Sequence, residues 1–92
     1  MRSFNSNEDI YDFVSEIIVI AEAHGDHTTA QLIQDAIDRG GFLPSERLGE
    51  LSLVLKALKK KKNATYLLSL HREIDLAINV ISEAIKDANR FR

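Results

Sequence analysis

The last third of the chain, residues 63–92, carries the pattern that most constrains the fold. Side chains at helical spacing form one apolar stripe over about six turns and include a single histidine. The stripe consists of Leu67, Leu70, His71, Ile74, Ala77, Ile78, Ile81, Ile85 and Ala88. Leu76 and Val80 lie outside it, so the apolar arc is wider than a two-helix seam requires. The pattern predicts a long C-terminal helix that serves as the central packing element of an all-α fold.

Three more amphipathic segments precede this helix, and each is bounded by capping or turn residues. Ser6 is placed to cap the first segment and Gly25 to end it in the left-handed conformation. Asp26 or Thr28 can cap the second segment, and Ser45 can cap the third. The expected helices are about 7–24, 28–39, 45–61 and 64–89. Short connections between them predict a single-domain antiparallel four-helix bundle that covers residues 1–92.

The composition is that of an ordinary globular protein. Hydrophobic residues make up 45% of the chain and charged residues 28%, which is enough apolar surface for one modest core. The absence of cysteine excludes disulfides and thiolate metal sites, and nothing argues for an oxidising compartment. The N-terminus lacks the apolar segment of a signal peptide, and no apolar run approaches the ~18 residues of a membrane span. We therefore expect a cytoplasmic protein without a membrane segment.

The small net charge of −2 conceals a strong polarity along the chain. Residues 1–38 contain eight carboxylates and one arginine, which gives a net charge of −7. Residues 39–92 contain eleven lysines and arginines and six carboxylates, which gives +5, and the two halves together give the stated −2. Such polarity influences the choice of partner and the rate of association more than it influences the fold.

The acids of the first helix lie opposite its apolar stripe, and Val19 projects from among them. A solvated surface helix is the ordinary explanation for such an arc. The alternative is a docking surface, because carboxylates around a few apolar anchors suit a partner that presents a basic cleft, as nucleases do. The candidate partner-binding residues are Asp9, Asp12, Glu16, Val19, Glu22, Asp35 and Asp38.

No group of residues in the sequence predicts catalysis, a metal site or a cofactor. His24 and His27, with Glu22 nearby, flank a turn instead of sharing one helix face, and a third zinc ligand is not guaranteed. His71 lies on the core stripe, where a hydrogen-bonded, partly buried histidine is the ordinary expectation. Carboxylates such as Asp9 and Asp12 belong to a solvated arc, and the serines have no matching histidine and acid. We expect a protein that is not an enzyme.

Lys59, Lys60, Lys61 and Lys62 suggest a nucleic-acid-binding alternative, because adjacent lysines could contact phosphates. However, the four residues point to all sides of a helix end, and no aromatic platform accompanies them. A helix-turn-helix is disfavoured too, since the connection 40–44 is long and Glu46 and Glu50 would face the phosphates. A solvated helix end explains the lysines more simply.

A further alternative is a structural or self-associating helical protein. Leu53 points away from the leucine stripe of the third helix, and Leu76 and Val80 widen the apolar arc of the fourth. These three residues could form the seam of a homodimer.

A short segment of the chain resembles a known class of proteins. The second helix ends in glycine, and the sequence GGFLPSERLGEL follows over residues 40–51. This pattern, together with the size and helical class, is similar to small all-helical bacterial immunity proteins of contact-dependent growth inhibition and other toxin–immunity systems. The resemblance implies a small cytoplasmic protein that binds and blocks one cognate toxin, often a nuclease. It does not imply which residues contact that toxin.

Overall fold

The computed structural model describes residues 4–40, 44–61 and 64–90, and within these ranges the chain is helical with no strand. Four α-helices and one 3-10 helix are present there. They are α1 (Asn7–Ala23), α2 (His27–Arg39), α3 (Pro44–Lys60), the 3-10 helix (Thr65–Leu70) and α4 (His71–Arg90). This order confirms the all-α class, the four helices and the long C-terminal helix. None of these helices has the length and apolar character needed to cross a bilayer.

Both ends of α1 follow the capping chemistry that the sequence predicts. The Asp9 backbone amide donates a hydrogen bond to Ser6 Oγ at 3.3 Å, which satisfies one of the free N–H groups of the first turn. At the other end Gly25 has a φ of 73°, in the region that side-chain-bearing residues rarely adopt. The Asp26 amide then donates to the Ala21 carbonyl at 2.8 Å and closes a Schellman turn.

Of the predicted caps of α2 and α3, the structure shows Asp26 at the start of α2 but not Ser45 at the start of α3. Asp26 caps α2, because its Oδ1 accepts a hydrogen bond from the Thr29 amide at 3.2 Å. The prediction that Ser45 caps α3 is wrong, since α3 begins at Pro44 and Ser45 lies inside it. Proline suits the first helical position, where its missing N–H costs nothing. The predicted apolar loop at Phe42 and Leu43 lies outside the described residues.

The prediction of one continuous α-helix over 64–89 is wrong in its first turns. Thr65–Leu70 is a 3-10 helix, and α4 begins only at His71. A 3-10 helix rises about 2.0 Å per residue instead of about 1.5 Å, so the segment reaches further towards the α1–α2 turn. There the Tyr66 hydroxyl donates to Asp26 Oδ2 at 2.6 Å, while Leu67 is fully buried in the core. His71 stands at the junction of the two helices and is half-buried, in agreement with the partly buried histidine that the sequence predicts.

The packing order places α3, and not α4, at the centre of the bundle. α2 packs against α1 and α3, whereas α3 packs against α2, α4 and the 3-10 helix. The reason is topological: short connections put each helix beside its sequence neighbours, and α4, as the last helix, has a single neighbouring α-helix in sequence. The predicted central role of α4 is therefore corrected. The shared core contains Ile10, Phe13, Val14, Ile17, Ile33, Leu48, Leu51, Leu55, Leu58, Leu67, Ile74 and Ile81.

Contacts at both ends show that α3 and α4 run antiparallel. Lys59 near the end of α3 forms an ion pair with Asp75 near the start of α4. At the opposite end, Gly49 near the start of α3 faces Ile85 near the end of α4. The first and third connections of the chain therefore lie at one end of the bundle, where Tyr66 meets Asp26.

Candidate partner-binding surface

One face of α1 is buried and the opposite face is exposed. The buried residues are Ile10, Phe13, Val14, Ile17 and Ala21. We call the exposed side the acidic face of α1, and it consists of Glu8, Asp12, Glu16, Val19 and Glu22. No lysine or arginine occurs anywhere in α1. The helix thus presents carboxylates, with no cation among them, on a backbone that is held in place by its buried face.

Val19 is the most exposed large hydrophobic residue in the described part of the chain, at 67%. It lies with Ile20 in a shallow depression whose other lining residues are Asp12, Ser15 and Glu16. Helical geometry explains the grouping, because residues three and four positions apart are neighbours on a helix surface. The arrangement offers an apolar anchor bordered by carboxylates, which is the combination expected to contact a basic protein surface with an apolar pocket.

Asp9 does not belong to this face. Its side chain is half-buried, and its Oδ2 accepts a hydrogen bond from the Asn5 backbone amide at 2.8 Å. Together with the Asp9 amide and Ser6, this bond closes the start of α1 in the manner of a capping box. The structure therefore assigns this predicted site residue to helix capping.

The two acids predicted on the second helix lie apart from Val19. Asp35 accepts a hydrogen bond from Gln31 Nε2 at 2.7 Å, and Asp38 accepts one from Gln34 Nε2 at 3.2 Å. Asp35 lines a separate depression on α2, which is formed with His27, Thr28, Gln31 and Leu32. The predicted set thus divides into the acidic face of α1, the cap residue Asp9, and a pair on α2 that makes local hydrogen bonds.

The lysine run is largely used within the fold. Lys59 pairs with Asp75. Lys61 is half-buried, and its Nζ donates to both Asp26 oxygens, at 3.2 and 3.3 Å, and to Thr29 Oγ1 at 2.6 Å. Lys60 is exposed, and Lys62 lies outside the described residues. At least two of the four lysines therefore pair with carboxylates of the same chain and are not free to contact a phosphate backbone.

Sequence reasoning missed the polar cluster that Lys61 joins, which we call the polar clamp: Asp26, Thr29, Lys61 and Tyr66. Asp26 Oδ2 accepts from the buried Thr29 hydroxyl and from the Tyr66 hydroxyl, both at 2.6 Å. These bonds hold the pKa of Asp26 well below its usual value, the Thr29 hydroxyl contributing most. Burial, followed by the bond to Asp26, raises the pKa of Tyr66 to about 12. No local motif signals the cluster, because the bonds of Lys61 and Tyr66 to Asp26 and Thr29 span 32 to 40 residues.

His24, considered above as a zinc ligand, instead packs on the polar clamp. Its ring stacks on that of Tyr66, with centroids 4.4 Å apart and planes 8° from parallel. Its Nδ1 lies 2.9 Å from the Ile20 carbonyl oxygen. Among the described residues, no group of three or more histidines and acids is arranged to hold a metal ion. The surroundings of His24 are those of a structural residue at a helix end.

The three residues considered for a homodimer seam do not share one surface. Leu53 is 62% exposed and lies in a groove between α3 and α4, beside Gly49 and Ile85. Val80 is half-buried and packs against the chain's own core, and Leu76 is half-buried on α4. Of the three, Leu53 alone is a strongly exposed apolar side chain.

Comparisons with known proteins found no matching family model, no matching curated protein and no matching solved structure. The function must therefore be argued from the surfaces of the chain itself. On the acidic face of α1, exposure, charge of a single sign and an apolar anchor coincide.

Proposed function

We propose that the chain is a non-enzymatic protein-binding module that acts as an immunity protein or antitoxin. In this proposal the acidic face of α1 docks on a basic surface of a cognate toxin, such as the nucleic-acid cleft of a nuclease, and blocks it. The observation that carries the proposal is Val19, 67% exposed among carboxylates on a helix that contains no cation. The resemblance of residues 40–51 to small helical immunity proteins supports the same class.

The energetics of such a surface divide between two kinds of residue. Carboxylates on an exposed face accelerate encounter with a basic partner and orient it, but each exposed pair contributes only about 0.2–1 kcal/mol. Burial of the Val19 side chain contributes roughly 1.5 kcal/mol more. Because α1 is already folded on the core, binding would order few additional groups.

Nucleic-acid binding is the weaker alternative. Lys59 and Lys61 are paired with Asp75 and Asp26, so counterion release from the lysine run would be small. The acidic face of α1 would also repel a phosphate backbone.

The test is a calorimetric titration of the full chain with the protein encoded next to it in its genome. We expect a 1:1 complex at about 0.1 M salt that weakens markedly at about 1 M, because screening shortens the range of the charges. Asp12→Lys should weaken binding by about tenfold. Glu83→Lys, the same change of charge on α4, is the matched control and should leave the affinity unchanged, because the 3.7 Å ion pair of Glu83 with Lys86 joins two largely exposed side chains.

If Asp12→Lys and Glu83→Lys weaken binding equally, the affinity depends on the net charge of the chain and not on the acidic face of α1. Absence of binding at low salt would refute the toxin-inhibitor proposal. A gel-shift titration with duplex DNA at the same salt should be flat, and a saturable shift would favour the lysine run instead.

A further inference from the structure

The 3-10 helix Thr65–Leu70 is long for its type and leads directly into α4. Such helices seldom exceed about four residues, because their hydrogen bonds have poorer geometry than those of an α-helix. Here six residues have this form, and the short hydrogen-bond pattern is present at both ends. The Leu67 amide donates to the Ala64 carbonyl at 3.0 Å. The His71 amide donates to the Leu68 carbonyl, although His71 itself already has α-helical backbone angles.

Nothing in the sequence of this segment requires the 3-10 form. Residues 64–90 contain no proline and no glycine. At α-helical spacing Leu67 and Leu70 lie within about 40° of the buried Ile74, so an α-helix would direct all three to the same core. An α-helix that begins at Thr65 would therefore keep the apolar stripe of the sequence and would form better hydrogen bonds.

The contacts that hold the segment in place come from the turn between α1 and α2. The Tyr66 hydroxyl donates to Asp26 Oδ2 at 2.6 Å, and the Tyr66 ring stacks on His24 with centroids 4.4 Å apart. Extension of α4 through the five residues from His71 back to Tyr66 would withdraw Tyr66 by about 2.5 Å and turn it by about 100° around the axis. Neither contact survives such a movement, so the polar clamp and the α-helical form exclude each other.

We infer that Thr65–Leu70 is a conformational switch: the polar clamp holds it in the 3-10 form, and it becomes the first turns of α4 when the bond from Tyr66 to Asp26 is broken. The released α4 then runs without interruption from Thr65. Tyr66 withdraws from the surface depression that it lines beside the turn between α1 and α2. This switch lies apart from the acidic face of α1 and does not depend on the existence of a toxin.

The test is nuclear magnetic resonance of the full chain near neutral pH. In a 3-10 helix the α-proton of each residue contacts the amide of the second residue after it, whereas in an α-helix it contacts that of the fourth. We expect the 3-10 contacts over residues 65–70 of the wild type. Tyr66→Phe keeps the ring and removes the hydroxyl, so it should show the α-helical contacts. Loss of a hydrogen bond to a charged group shifts the equilibrium by at least about tenfold.

Two more variants show whether the bond itself holds the switch. Asp26→Ser keeps a side chain that caps α2 but is too short to reach Tyr66, so it should show the same α-helical contacts as Tyr66→Phe. Tyr11→Phe is the matched control, because it removes the hydroxyl of the other tyrosine, which lies on α1 against Arg47, and should keep the wild-type pattern. Retention of the 3-10 contacts alone in Tyr66→Phe or in Asp26→Ser overturns the inference, as does a wild type that already shows the α-helical contacts.

Discussion

Replacing Asp26 should reveal how much stability the polar clamp contributes. Asp26→Ala removes the cap of α2, which is worth about 1 kcal/mol. It also removes the acceptor of the Tyr66 hydroxyl, a bond to a charged group worth about 1.5 kcal/mol. The ion pair with Lys61 adds about 0.5 kcal/mol, because both side chains remain partly exposed, at 26% and 18%. The buried Thr29 hydroxyl loses the same acceptor, so the free energy of unfolding should fall by at least about 3 kcal/mol, a large part of the stability of a small domain.

Asp26→Asn separates these contributions. An asparagine can still accept the Thr29 amide and cap α2, but it loses the charge and the second oxygen that receives the Thr29 and Tyr66 hydroxyls. We expect a loss of about 2 kcal/mol for this variant, between wild type and Asp26→Ala. The assay is urea unfolding followed by circular dichroism near neutral pH. Asp38→Ala, an exposed aspartate with one local bond, should stay within about 0.5 kcal/mol of wild type.

The difference in stability between wild type and Asp26→Ala should also depend on pH. Since the pKa of Asp26 is lowered by folding, its contribution to stability is fully present above its unfolded pKa of about 3.8. It is lost as the pH falls from there towards the lower folded value, so the gap between wild type and Asp26→Ala should narrow in acid. A gap at neutral pH no larger than that of the Asp38→Ala control would refute the account of the clamp.

Three further outcomes follow from the structure. Gly40→Ala should destabilise the fold by more than about 2 kcal/mol in urea unfolding, because an added Cβ would lie 2.3 Å from the Arg47 Cα, a backbone atom. Gly49→Ala should instead be neutral or stabilise by up to about 1 kcal/mol, since its Cβ would meet only Ile85 Cδ1 at 4.0 Å within a helix. The raised pKa of Tyr66, about 12, predicts that stability falls as the pH rises from about 10, the unfolded value, to about 12. This alkaline loss should be smaller in Tyr66→Phe, and an unchanged alkaline profile would contradict it.

The sequence predicted those parts of the fold that local chemistry determines. Ser6 and Gly25 mark the ends of α1 in the structure as they do in the sequence, because caps act within a few residues. Apolar periodicity likewise predicted the buried faces, since burial of Ile10, Phe13 and Ile17 follows from helical spacing alone.

The misses have non-local causes. The 3-10 helix over Thr65–Leu70 coincides with the bond from Tyr66 to Asp26, and no periodicity could reveal a pairing across 40 residues. The central place of α3 depends on which helices pack against each other. The width of the apolar arc of α4 could not predict those pairs. At the candidate site, exposure of Val19 and Asp12 followed from helical phase. The capping role of Asp9 could not be predicted, because it depends on where the Asn5 backbone amide lies.

The central claim, that the acidic face of α1 is a docking surface for a toxin, is tested most directly at Val19. The measurement is the ratio of the dissociation constants of Val19→Lys and Leu68→Lys for the protein encoded by the neighbouring gene. Both substitutions replace an exposed aliphatic residue by lysine, at 67% and 62% exposure, so neither should disturb the core. We predict that Val19→Lys binds at least about thirtyfold more weakly, because a buried apolar contact is lost and a charge is desolvated. Equal affinities for the two variants, or a weaker Leu68→Lys, would contradict the claim.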